Sequence, residues 1–106
     1  MAEIEISSKQ LVGKPKKIGT CAGRPVLELL TKGGLHLVVS ARDGRFETLG
    51  TGPHRAVARH IAKKKSPEIV WSDLNKADHV EDRFFVSLLP KYEALTDVLR
   101  KLNGDQ

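Results

Sequence analysis

The stretch from Gly50 to Lys65, Gly-Thr-Gly-Pro-His-Arg-Ala-Val-Ala-Arg-His-Ile-Ala-Lys-Lys-Lys, constrains this chain more than any other. Gly50 and Gly52 flank Thr51, and Pro53 stands where a helix can begin, because the proline ring lacks an N–H that the first turn would leave unpaired. At about 100° per residue, Val57, Ala58, Ile61 and Ala62 share one arc. Arg55, Arg59, His60, Lys63 and Lys64 fall on the opposite arc. The spacing predicts a helix over 53–65 that packs on a sheet and turns a row of cations toward water.

The residues before it supply that sheet. Residues 25–31, Pro-Val-Leu-Glu-Leu-Leu-Thr, are apolar enough for a strand or a short helix, and Lys32-Gly33-Gly34 ends the run. Gly-Gly between apolar runs is a hairpin signal, since both positions accept a positive φ. Leu35 to Ala41 is the strongest strand pattern. Asp43-Gly44 follows, a pair suited to a two-residue hairpin. In 45–50 Phe46 points to one face, with Arg45 and Glu47 on the other. Residues 25–50 therefore read as a three-stranded antiparallel meander whose apolar face partners Val57 and Ile61. Upstream, Glu3 to Ile6 alternate like a short strand, and Ser7 to Thr20 read as a basic loop or arm carrying Lys14, Lys16 and Lys17. Downstream, Ser66-Pro67 breaks the helix, and Glu68 to Ser72 is a short strand candidate holding the only Trp. Residues 72–82 read as a polar loop, and 83–89 suit either helix or strand. Pro90 opens a last helix over 90–103, in which Tyr92, Leu95, Val98, Leu99 and Leu102 recur at helical spacing before Asn103-Gly104.

The expected architecture is an α+β domain: an antiparallel sheet of three or four strands packed by helices at about 53–65 and 90–103. A chain of 106 residues supports one core. We divide it into an arm at 1–20 and a single domain at 21–106. No apolar run approaches the roughly 18 residues of a membrane span, and the acidic, alternating start is unlike a secretory signal. The single Cys21 allows no internal disulfide. A cytoplasmic protein is expected. Its charge is uneven. Residues 1–65 hold 13 Lys and Arg against 5 Asp and Glu, whereas residues 66–106 hold 5 against 8. A basic half beside an acidic one suggests a surface for a polyanion.

The order of three strands, Gly-x-Gly and basic helix makes residues 25–65 resemble the β-β-β-α part of the double-stranded RNA-binding domain. That family opens its last helix with Gly-x-Gly-x-Ser-Lys-Lys-x-Ala-Lys-x-x-Ala-Ala, and Gly50, Gly52, Arg55, Ala58, Arg59 and Ala62 match it. His54 replaces the serine, Ala56 the second lysine and Lys63 the final alanine, and no first helix precedes the meander. The order is also similar to plant AP2 domains and the arm-binding domains of phage integrases, in which Leu-Gly-Thr precedes an Ala-rich helix as Leu49-Gly50-Thr51 does here. Those two families read DNA with the sheet. The resemblance implies nucleic-acid binding.

Physical chemistry points the same way. The start of a helix carries unpaired N–H groups and partial positive charge, which suit a phosphate. Arg55 and Arg59 would add charge-assisted bonds, giving shape-guided, salt-sensitive binding with little base readout. Few aromatics argue against a stacking platform for single strands. The site residues expected are Arg55, Arg59, Lys63 and Lys64, with Lys14, Lys16, Lys17, Arg42 and Arg45 as secondary contacts. Catalysis is not expected. Cys21 lacks a convincing base, His54 and His60 stand six apart on different sides of a helix, and His36 lies inside a strand. Asp73, Asp78, His79, Glu81 and Asp82 could hold Mg²⁺ but read better as a solvated loop. No metal and no cofactor are expected. The alternative is a protein–protein or regulatory adaptor module, which would bind an acidic partner or dimerise through Tyr92, Leu95, Val98 and Leu99.

Overall fold

A computed structural model describes residues 11–42, 45–72 and 87–104. The chain forms β1 (Lys16–Cys21), β2 (Arg24–Leu30), β3 (His36–Arg42), β4 (Arg45–Gly52), α1 (Arg55–Lys65), β5 (Val70–Trp71) and α2 (Leu89–Gly104). The strands make one antiparallel sheet in the order β4-β3-β2-β1-β5. The α+β expectation holds, with five strands in place of three or four.

The extra strand is β1. Residues 16–20, expected as the end of a loop or arm, instead lie inside the sheet between β2 and β5. Its register shifts between Lys17 and Gly19, so Ile18 breaks the period-two pattern that reveals a strand. The turn into β2 is Ala22-Gly23, flanked by the pair Cys21 and Arg24. Both turn residues have positive φ, 52° and 79°, as a type I′ hairpin demands. Alanine there gives no turn signal in a sequence. The turn expected at Asp43-Gly44 lies outside the described residues, although its flanks Arg42 and Arg45 do pair. Residues 3–6, 73–82 and 83–86 also lie outside them.

Alternation gives the sheet two apolar faces, each under its own helix. Val26 and Val38 join Ile18, Cys21, Leu49 and Ile69 beneath Ala58 and Ala62 of α1. Their neighbours Leu29, Leu37 and Val39 point the other way, joined by Leu27 and Phe46, beneath Leu95 and Leu99 of α2. Both helices also touch the edge strand β4. Past that edge, Lys64 pairs with Glu93 at 3.5 Å, Lys65 with Asp97, and Arg100 with Glu47 at 3.7 Å. A bare edge would invite strand pairing from another chain, and this one is covered.

The last helix turns slightly from its expected stripe. Leu99 and Thr96 are fully buried, and Tyr92 and Leu95 are half-buried. Val98 and Leu102 are 48% and 45% exposed. No helix among the described residues is long and apolar enough to cross a membrane.

Candidate nucleic-acid interface

The Gly-x-Gly motif is first a packing device. A Cβ on Gly50 would strike the carbonyl oxygen of Ala58 and come within 2.7 Å of the Ala62 nitrogen. One on Gly52 would stand 2.7 Å from the Cβ of Val57. With only small residues at 58 and 62, α1 settles directly on the β4 backbone. Thr51, between the glycines, is fully buried and donates its hydroxyl proton to the His36 carbonyl at 3.2 Å. The motif thus fixes where α1 starts relative to the sheet, and so where the helix presents its cations.

That start is electropositive in character. His54 is the N-cap in extended conformation, its side chain makes no capping hydrogen bond, and the first turn has no acidic residue. Such a turn presents N–H groups to an anion. Arg55 is the first helical residue, its side chain 38% exposed.

The two arginines behave differently. Arg59, expected on the exposed arc, is only 8% exposed. Its Nε donates to Glu28 Oε2 at 2.9 Å, and its guanidinium lies 6.0 Å from the Trp71 ring centroid. The wheel places its Cα correctly, but a long side chain can lie back over a sheet that offers a carboxylate. Arg59 is therefore a buried strut across β2, α1 and β5 rather than a surface cation. Arg55 meets the same carboxylate more loosely, at 3.8 Å.

Register shows which cations gather. Lys16 of β1 lies directly opposite Glu28, and Lys17 opposite Leu27. Lys14 is two residues upstream, and all three lysines are exposed. His36 begins β3 at this same end of the sheet, opposite Leu30 and Gly52. Exposed Lys32, in the turn joining β2 to β3, is here too. Sequence reasoning passed over Lys32, yet a lysine beside Gly33-Gly34 was the available signal. Arg42 and Arg45 pair with each other at the opposite end, about 20 Å away at roughly 3.3 Å per residue. Lys63 is exposed at the far end of α1, and Lys64 is joined to α2 through Glu93. The structure thus sets Arg55 and Lys16 on the α1 face at one end of the sheet, leaves Lys17 at that end but on the α2 face with Leu27, and separates these from Arg42 and Arg45 at the other end of the sheet and from Lys63 and Lys64 at the far end of α1.

Two further groups define the local chemistry. Burial pushes the His36 imidazole below its ordinary pKa; Glu28 opposes the shift, and His54 and Arg55 reinforce it. Burial, followed by the nearby Glu68 carboxylate, pushes the Cys21 thiol up. Its Sγ lies 3.6 Å from Glu68 Oε1. A buried thiol held protonated is a poor nucleophile. Among the described residues no three His, Cys, Asp or Glu side chains gather as metal ligands. The acidic group Asp73, Asp78, His79, Glu81 and Asp82 lies outside those residues.

Compared with protein-family models, with curated proteins and with solved structures, the chain matches none.

Proposed function

We propose that this is a non-enzymatic, cytoplasmic nucleic-acid-binding protein that grips the phosphate backbone of a duplex at one end of its sheet. The observation that carries the reading is the convergence of Lys16 and Arg55 on Glu28 from two elements, beside the open first turn of α1. Lys14, Lys17 and Lys32 extend that basic end. Lys63 is a peripheral contact, and Arg59 serves the interface by holding Glu28 in place.

The burial pattern supports backbone recognition over base stacking. Helices cover both sheet faces, and Phe46, Trp71 and Tyr92 are each at least partly buried. No exposed aromatic platform remains among the described residues, whereas stacking on single strands requires one. The rival apolar interface has less support, because of its four residues only Val98 is exposed, Leu99 being fully buried and Tyr92 and Leu95 half-buried.

The test measures binding to short duplex RNA, duplex DNA and single strands at two salt concentrations, for the wild type and for Lys16→Ala with Arg55→Ala. The expected result is duplex preference in the wild type. Removing both cations should weaken binding by about tenfold or more and reduce the salt slope by about 1 to 2. Unchanged duplex binding in the double variant would overturn the interface.

A further inference from the structure

His36 sits where the proposed phosphate contact would change its charge. Positions 36 and 38 of β3 share one face, as do 28 and 30 of β2. With Leu30 opposite His36 and Glu28 opposite Val38, His36 is a diagonal neighbour of Glu28. Its other partner, Gly52, lies against Val57 of α1, which puts His36 below the first turn of that helix. The charged groups that bear on it are Glu28 from β2, His54 at the N-cap of α1 and Arg55 in its first turn. Arg59 and Lys16 bear on it through Glu28, one bound to that carboxylate and the other opposite it on β1.

We propose that His36 makes polyanion binding at this end of the sheet proton-linked: docking of a phosphate backbone draws a proton from solvent onto the imidazole, and affinity rises as pH falls. The inference rests on the duplex-binding reading above. In the free protein a charged imidazole is opposed by partial burial and by the neighbouring cations, while Glu28, already bound to Arg59, favours it. A phosphate drawn to Arg55 and the α1 start adds negative charge on the same side of the sheet as the imidazole. Linkage makes the effect mutual, so what binding does to the imidazole, the imidazolium does to binding.

The experiment measures affinity for a short duplex RNA and a short duplex DNA at fixed salt, at about pH 7.5 and about pH 5.5, either side of an ordinary imidazole titration. Wild type, His36→Gln, Arg55→Ala and Lys16→Ala are compared, with Trp71 emission as the check on folding. One linked proton caps the change at about tenfold per pH unit. The expected outcome is a several-fold tightening in the wild type that His36→Gln largely abolishes, with the affinity of that variant near pH 7.5 preserved. The His36 ring resonances should also titrate at higher pH once duplex is added. Full retention of the pH effect in His36→Gln, or a His36 titration that duplex leaves unmoved, overturns the proposal. If Arg55→Ala weakens binding in either case, only the proton linkage has failed. If Arg55→Ala and Lys16→Ala leave binding unchanged, the duplex-binding reading has failed with it.

Discussion

Arg55 and Arg59 stand one helical turn apart and share one carboxylate, yet they differ in what their loss would do. Arg59 and Glu28 are paired at 2.9 Å with side chains 9% and 13% exposed. Removing one member leaves the other charge buried, at a cost of about 3–5 kcal/mol. Arg59→Ala should therefore lower stability by about 3 kcal/mol in urea unfolding and red-shift the emission of Trp71, whose ring it overlies. The more exposed Arg55, in a looser pair, should cost less than about 1 kcal/mol when truncated, while carrying the larger loss of duplex affinity. Cys21 gives a second expectation at this scale. Buried, and with its thiol pushed up, it should react with a thiol reagent far more slowly in the native protein than in denaturant; rapid native labelling would contradict the burial. His36 gives a third. Its imidazole titrates lower when folded than when unfolded, so the unfolded chain binds more protons between the two values. The stability this lends is complete above the ordinary histidine range and is lost as pH falls through the folded value. Unfolding followed from about pH 7.5 to about pH 5.5 should show this loss, at most about 1.4 kcal/mol per pH unit, and His36→Gln should remove that component.

Elements differ in how openly the sequence declares them. β3 is legible because Leu37, Val38 and Val39 form an apolar run rich in β-branched valine and bounded by turns, and α1 because its apolar residues keep a strict helical arc. β1 is hidden by physics: exposed Lys16 and Lys17 occupy its start, a bulge at Ile18 interrupts its alternation, and Ala22-Gly23 is a poor turn signature. The candidate site was half legible for a related reason. A helical wheel locates the Cα of Arg59 but is blind to Glu28 on a strand 31 positions away, which draws the guanidinium inward. Two predictions belong here. Gly50→Ala places a methyl group against the backbone of α1, where no side-chain rotation relieves it, and should cost about 3 kcal/mol or more. An unchanged urea midpoint would mean that α1 does not sit on β4 as described. Ala22→Asn suits the left-handed turn better and should stabilise by about 0.5–1 kcal/mol by the same measurement.

Across the whole molecule, the strand order matters as much as any single contact. β1 to β4 are joined in sequence, each pairing with the next, so their hairpins close over short loops. β5 is the exception. The chain leaves β4, runs through α1 and returns to the far side of the sheet, where Val70 and Trp71 meet Thr20 and Gly19. Closing so long a loop carries a larger entropic cost than closing a hairpin, and it is repaid only when the rest of the sheet exists to receive the strand. The sole tryptophan of the chain sits in that returning segment. Its fluorescence is therefore a built-in stopwatch for the most non-local step of folding, while circular dichroism records the neighbouring hairpins and helices. In a refolding experiment, a tryptophan signal lagging behind the dichroism would time the arrival of β5, and coincident traces would show that the whole sheet assembles in a single step.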